Sequence, residues 1–112
     1  MLLAVDVGNT NTKLGLYEDA RLVASWRLTS RREQTADEYG VITQTLLAGQ
    51  GLAPGVVTDV AISSTVPAVQ RAIEEMARQY FGVAAFIVTP GVNVPVPMRV
   101  DYPREVGPDR LV

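Results

Sequence analysis

The sequence predicts an α/β domain whose mixed sheet starts as an antiparallel meander of three strands and continues as α-β-α-β. Residues 1–30 contain three apolar, strand-like runs separated by short polar turns. Residues 31–89 then alternate between helical and strand-like patterns of apolar residues. With 112 residues, of which 47% are hydrophobic, the chain has enough apolar surface for one core. We therefore expect a single domain over residues 1–112.

The first three strands are predicted at residues 2–7, 13–17 and 22–28. A turn rich in glycine and asparagine joins the first two, and the polar residues 18–21 join the second to the third. Connections as short as these join antiparallel neighbours, because a parallel crossover needs many more residues. The three strands are therefore expected to form a meander.

The first predicted helix begins at Thr35, because Thr35 and Glu38 have the Ser/Thr-x-x-Glu spacing of a capping box. Gly49 is expected to end this helix in the left-handed conformation. Helical spacing predicts an inward face formed by Tyr39, Ile42, Leu46 and Leu47. A short buried strand is expected next, at residues 60–64.

The second helix is predicted to start at Pro67, which suits a first helical turn, and to stop at Gly82. Its predicted inward face consists of Val69, Ile73, Met76 and Tyr80. Residues 84–89 predict another strand. Residues 90–108 are rich in proline, so we expect an extended, ordered loop there, followed by a helix that the end of the chain interrupts.

Charge and composition exclude several classes of function. The net charge is −2, and the ten basic and twelve acidic residues are spread along the chain, so no basic stripe is available to bind a nucleic acid. No apolar run approaches the about 18 residues of a membrane span, so we expect a cytoplasmic protein with no membrane partner. The chain has no cysteine and no histidine. Any proton acceptor must therefore be a carboxylate or a lysine.

The stretch DVGNTNTK, residues 6–13, interrupts the apolar strands with small polar residues and has two interpretations. In the first, Gly8 and the asparagines only supply the positive φ angles that a hairpin turn requires. In the second, the turn binds an anion: Asp6 would hold a hydrated Mg²⁺, Gly8 would let a phosphate approach the backbone, and Lys13 would add a positive charge. This arrangement suits phosphoryl transfer, which depends on positioning and charge stabilisation.

Three motifs resemble those of one enzyme family. DVGNTNTKLGLY is similar to the first phosphate motif of the actin-like, hexokinase-like ATPases, whose ribonuclease H-like domain holds nucleotide phosphates with a β-hairpin. YPREVGPDRLV, at residues 102–112, resembles the Pro-x-x-x-Gly-x-Asp-Arg segment of the type III pantothenate kinases. AISSTVP, at residues 61–67, is also similar to a segment of that family. The motifs follow one another in the family's order.

The resemblance implies ATP-dependent phosphorylation of pantothenate to 4'-phosphopantothenate, the first step of coenzyme A biosynthesis. It implies that ATP and Mg²⁺ bind at the first motif, with Asp6 as the metal ligand. The implied ATP-binding residues are Asp6, Val7, Gly8, Asn9, Thr10, Asn11, Thr12 and Lys13.

The same resemblance implies that pantothenate binds at Gly107, Pro108, Asp109 and Arg110. Asp109 would accept the proton of the attacking hydroxyl, and Arg110 would pair with the pantothenate carboxylate. By position alone, Asp109 is explained as an acid in the first turn of a helix, and only the resemblance assigns it a catalytic role. The chain departs from the family at Val100, where a tyrosine is usual, and at Pro108, where a small residue is usual.

Members of this family are longer and dimeric, and a second domain supplies another phosphate motif, adenine contacts and a monovalent-cation site. None of those motifs occurs in residues 1–112, so we expect an amino-terminal fragment that is inactive alone. The complete protein would bind K⁺ or NH₄⁺ and form a homodimer. Two alternatives remain: another kinase of the superfamily, acting on a sugar or a carboxylate, or a regulatory relative that binds nucleotide without catalysis.

Overall fold

The structure, a computed structural model, describes residues 1–88. Its helices are α1 (Ala36–Gly49) and α2 (Pro67–Met76). Its strands are β1 (Leu2–Val7), β2 (Asn11–Glu18), β3 (Arg21–Thr29), β4 (Asp59–Ser64) and β5 (Phe86–Ile87). The predicted proline-rich loop at residues 90–108 and the helix start after it lie outside the described residues.

The five strands form one mixed sheet in the order β3-β2-β1-β4-β5. The meander is antiparallel, as predicted, because β2 pairs with β1 on one side and with β3 on the other. The two later strands are parallel to β1: β4 pairs with β1, and β5 pairs with β4. The predicted order of a meander followed by α-β-α-β is therefore confirmed, and β1 lies at the centre of the sheet.

Alternation along β1 gives the sheet two different faces. Leu3, Val5 and Val7 are buried in the main core, which also contains the inward residues of both helices. Ala4 lies on the opposite face, in a smaller cluster with Tyr17, Ala61 and Val88. Because side chains alternate along a strand, Asp6 shares the face of Ala4.

Helix α1 begins at the predicted capping box. The Thr35 hydroxyl accepts a hydrogen bond from the Glu38 amide at 3.1 Å, and the Glu38 carboxylate accepts one from the Thr35 amide at 2.8 Å. The predicted stop is wrong, because Gly49 is still helical and the left-handed residue is Gly51, with φ of 74°. The helix therefore ends at Gly49, and the left-handed residue follows two positions after the predicted one.

The inward face of α1 also differs from the prediction. Tyr39, Gly40, Thr43 and Leu47 are buried, whereas Ile42 and Leu46 are only half-buried. A threonine is tolerated inside because its hydroxyl donates to the Tyr39 carbonyl at 2.7 Å, so the polar group is satisfied within the helix. Helical spacing alone does not reveal that bond. The sequence therefore predicts the apolar Ile42 and Leu46, and not Thr43, on the inward face.

Helix α2 follows the prediction closely. It starts at Pro67 and buries Val69, Ile73 and Met76. The chain continues as a π-helical turn, Ala77–Phe81, and stops at Gly82, which has the predicted left-handed conformation with φ of 70°. Strand β5 is shorter than the predicted 84–89, whose last residue is outside the described part. Within residues 1–88, no helix is both long and apolar enough to cross a membrane.

The two helices pack closely where Gly40 of α1 meets Tyr80 of the π-helical turn. The Tyr80 hydroxyl donates a hydrogen bond to the Asp37 carboxylate at 2.7 Å, and this bond raises the pKa of Tyr80. The bond also holds the tyrosine ring over Gly40. A residue without a side chain is therefore required at this point of α1.

Gly40→Ala is expected to destabilise the protein, because the new Cβ would lie 2.6 Å from the Tyr80 ring. We expect the free energy of unfolding to fall by about 1–3 kcal/mol, as in other overpacked sites, in urea denaturation. Gly49→Ala is the matched control in the same helix, since nothing lies within 4 Å of its Cβ. That variant should be neutral or slightly more stable. Equal stability of the two variants would contradict the prediction.

Candidate functional site

A cleft of about 590 Å³ lies at the carboxyl ends of β1 and β4. It is formed by the turn between β1 and β2, the start of β2, one residue of β3 and the residues that end and follow β4. The described residues that line it are Asp6, Val7, Gly8, Asn9, Asn11, Lys13, Arg27, Ser63 and Thr65. It is therefore assembled from four neighbouring strands.

Strand register brings four polar side chains into one row across the sheet. Asp6 is opposite Lys13 of β2 and beside Ser63 of β4, and Lys13 is opposite Arg27 of β3. Directly opposed residues on neighbouring strands point to the same face. The row Arg27-Lys13-Asp6-Ser63 therefore forms one edge of the cleft, with Asp6 buried and Arg27 exposed.

The turn between β1 and β2 is tight but does not use positive φ angles. The Gly8 amide donates to the Asn11 carbonyl at 2.9 Å. Within residues 1–88, positive φ occurs at Asp19, Gly51 and Gly82 only, so the expectation that this turn needs it is wrong. Gly8 is favoured for a different reason: a Cβ there would make a tight contact, 3.2 Å from the Asn11 carbonyl oxygen. Its missing side chain also leaves the backbone open to the cleft.

A chain of two hydroxyl groups supports this turn from behind. The Ser30 hydroxyl donates to the Gly8 carbonyl at 2.6 Å and lies 2.9 Å from the Thr12 hydroxyl. Since a hydroxyl has one proton, and that of Ser30 is used on Gly8, Thr12 must donate to Ser30. The Ser30 amide donates to the Thr10 carbonyl at 2.8 Å. Ser30 therefore fixes both ends of the turn.

These contacts divide the predicted ATP-binding residues into two groups. Most of them line the cleft: Asp6, Val7, Gly8, Asn9, Asn11 and Lys13. Thr12 is fully buried on the other side of β2, where its hydroxyl bonds Ser30, and Thr10 meets Ser30 through its carbonyl. Thr12, one of the implied ATP-binding residues, therefore supports the turn, and its side chain does not line the cleft.

Three residues of the cleft were missed when the site was predicted from the sequence. Arg27 is one, and its alternation along β3, together with its position opposite Lys13, is the signal that identifies it. The other two are Ser63 and Thr65. They belong to the AISSTVP segment, which the sequence identifies only by its resemblance to a family motif. The Thr65 amide donates to the Val7 carbonyl at 3.1 Å, which ties the residues after β4 to the end of β1.

The cleft combines two cations with one carboxylate. Lys13 and Arg27 are not part of either salt bridge found in residues 1–88, which join Arg21 to Glu18 and Arg78 to Glu75. Asp6 is the acidic residue among the described lining residues. With backbone amides, amide side chains and hydroxyl groups around it, the cleft has the chemistry of an anion-binding site.

The predicted pantothenate-binding residues Gly107, Pro108, Asp109 and Arg110 lie outside the described residues. Their relation to the cleft remains a prediction. Within residues 1–88 there is no group of three or more His, Cys, Asp or Glu side chains placed to bind a metal ion.

Comparison with known protein sequences identifies relatives along the whole chain. The sequence model of the type III pantothenate kinase family matches residues 2–112. Two curated proteins named type III pantothenate kinase, from Myxococcus xanthus and Geotalea uraniireducens, are 46% and 43% identical to the chain. Each alignment covers 100% of this chain and 44% of the relative. The chain therefore spans less than half the length of these curated relatives.

Among solved structures, the chain is similar to a protein from Porphyromonas gingivalis that is provisionally assigned as an N-acetylglucosamine kinase. The TM-score is 0.56 at 15% identity, and the likeness covers 78% of this chain and 33% of that protein. At this identity the likeness concerns the fold alone. The predicted ribonuclease H-like fold is therefore confirmed.

Ser30→Ala is expected to weaken the support of the turn, because it leaves the buried Thr12 hydroxyl without its acceptor and the Gly8 carbonyl without its donor. The free energy of unfolding should fall by about 1–3 kcal/mol in urea denaturation. Ser25→Ala is the matched control, since Ser25 is an exposed serine of β3. If both variants unfold at the same urea concentration, the hydroxyl chain does not support the turn.

Proposed function

The chain belongs to the type III pantothenate kinase family, and we propose that the complete protein transfers the γ-phosphoryl group of ATP to pantothenate. The products would be ADP and 4'-phosphopantothenate, as in the first step of coenzyme A biosynthesis. The observation that carries this proposal is the row of Lys13, Asp6 and Ser63 beside the Gly8 turn, at the end of the central strand. It offers donors and charge of the kind that a nucleotide triphosphate requires.

The cleft would bind the phosphates mainly through the backbone and Lys13. Gly8 has no side chain to block an approaching phosphate, and Asn9 and Asn11 add amide groups to the same wall. Lys13 would neutralise part of the phosphate charge. Thr12 would not contact the phosphates; its hydrogen bond to Ser30 would help to hold the turn in the binding conformation. Phosphoryl transfer depends chiefly on such positioning and charge stabilisation.

The cleft also fits the Mg²⁺ that accompanies ATP. Asp6 provides a buried carboxylate at its edge. Mg²⁺ in kinases is commonly held by one or two carboxylates together with phosphate oxygens and water, so the absence of a larger acidic cluster in residues 1–88 is compatible with this ion. Asp6 would hold it, and the ion would neutralise charge on the phosphates. The K⁺ or NH₄⁺ site, the homodimer and the cytoplasmic location are proposed from the family resemblance alone.

The acceptor side of the reaction is proposed for residues 107–110. Asp109 would take the proton of the pantothenate hydroxyl while the hydroxyl oxygen forms a bond to the γ-phosphorus of ATP. The bond between the γ-phosphorus and the bridging oxygen would break, and that oxygen would leave with ADP. Arg110 would pair with the carboxylate of pantothenate. A carboxylate base suits a chain that contains no histidine. The second domain of the family would complete the site and exclude water from it.

The full-length protein is expected to convert ATP and pantothenate into ADP and 4'-phosphopantothenate, measured by coupled ADP release and mass spectrometry. Acetate and N-acetylglucosamine should give no phosphorylated product, since the proposed acceptor site is built for pantothenate. A faster reaction with the sugar or with acetate would favour another kinase of the superfamily. Tight ATP binding without turnover of any acceptor would favour a regulatory relative.

Asp109→Asn should lower kcat of the full-length protein by about 100-fold or more, because a positioned base typically contributes at least this much. Affinity for ATP should change little in titration calorimetry, because the proposed phosphate contacts lie in residues 6–13. Asp59→Asn is the matched control, since Asp59 is an exposed acid at the opposite end of β4. A kcat within a few-fold of the wild type would show that Asp109 is not the base.

A further inference from the structure

Arg27 occupies an unusual position for a surface arginine. It lies directly opposite Lys13 in the antiparallel pair of β2 and β3, and both side chains belong to the face that carries Asp6. Both also line the cleft. Like charges that are directly opposed on neighbouring strands repel each other and destabilise the sheet. The pair therefore needs an explanation other than stability.

No acidic partner in the described part of the chain relieves this repulsion at Arg27. The salt bridges of residues 1–88 use Arg21 and Arg78, each paired with a glutamate three residues earlier in the sequence. Arg21 is thus a useful contrast, because it belongs to the same strand as Arg27 and has its own carboxylate. Among residues 1–88, no hydrogen bond or salt bridge occupies the N–H donors of the Arg27 guanidinium group.

The shape and donors of the cleft indicate what the two cations would bind. Gly8 and Asn9 line one wall, Ser63 and Thr65 another, and Lys13 with Arg27 a third. A volume of about 590 Å³ is large enough for a chain of several phosphate groups. A ligand with a single carboxylate group could contact only one of these walls at a time. A guanidinium group binds two phosphate oxygens at once, which a lysine does not do.

We propose that Arg27 is a phosphate-binding residue that, together with Lys13, holds the triphosphate of the nucleotide; this inference rests on the proposed function. The anion replaces the repulsion between two cations by attraction to both. Arg27 thereby extends the phosphate site from the turn after β1 to the third strand of the meander. The ligand is the polyphosphate chain and not the carboxylate of the acceptor substrate.

The test compares Arg27→Gln, Arg27→Lys and the control Arg21→Gln in the full-length protein, with ATP, inorganic tripolyphosphate and pantothenate as separate ligands in titration calorimetry. Arg27→Gln should bind ATP and tripolyphosphate about tenfold more weakly, the effect of losing one charged hydrogen bond. Arg27→Lys should fall between this variant and the wild type. Arg21→Gln should bind all three ligands as the wild type does. Affinity for pantothenate should be unchanged in every variant.

Thermal unfolding without ligand separates phosphate binding from a structural role. In low salt, Arg27→Gln should melt at the wild-type temperature or slightly above it, because the variant loses a repulsion, and added salt should remove the difference. The proposal is overturned if Arg27→Gln binds tripolyphosphate as Arg21→Gln does, if it melts several degrees lower, or if only pantothenate binding is weakened. The failure of the proposed function would look different: the wild type would not phosphorylate pantothenate, yet ATP binding would still depend on Arg27.

Discussion

The burial of Leu3, Val5 and Val7 under the two helices is the constraint on which the rest of the site depends. Since side chains alternate along a strand, burying these three residues forces Asp6 onto the opposite face. A slip of one residue would move the carboxylate into the apolar core and expose the valines. The hydrophobic effect, acting on residues that contact no ligand, thus fixes the direction of the acidic side chain at the edge of the cleft.

The central position of β1 explains why the cleft has several walls. Its antiparallel neighbour β2 returns from the turn and brings Lys13 opposite Asp6. Its parallel neighbour β4 runs in the same direction, so the residues after β4 leave the sheet at the same edge and Thr65 bonds the Val7 carbonyl. One strand with neighbours of both directions therefore collects a turn, a strand start and a strand end at one place. In a purely antiparallel sheet, two neighbouring strands never end at the same edge.

Most patterns within one chain segment were predictable, except the inward face and the left-handed stop of α1. Features that depend on contacts between distant segments were not predictable. The strands of the meander and the capping box at Thr35 follow from apolar alternation and from side chains three residues apart. Gly40, by contrast, is explained only by the Tyr80 ring, which is forty residues away in sequence. Arg27 was also not predictable from its own segment, because its place in the cleft follows from its register with Lys13 on the neighbouring strand. The role of Gly8 was misjudged for a similar reason: its close contact is with a carbonyl and not with its own φ angle.

A turn held by its own hydrogen bonds suits a reaction that is governed by positioning. The bonds from Gly8 to Asn11, and from Ser30 to Gly8 and Thr10, all join groups of the protein itself. An incoming phosphate would therefore find its amide donors already arranged, so little order has to be created on binding. The cations differ from the turn, because Lys13 and Arg27 are directly opposed like charges, and a bound anion would replace their repulsion by attraction. Hydrogen bonds within the protein thus shape the turn, whereas the proposed role of the two long side chains depends on the charge of the anion itself.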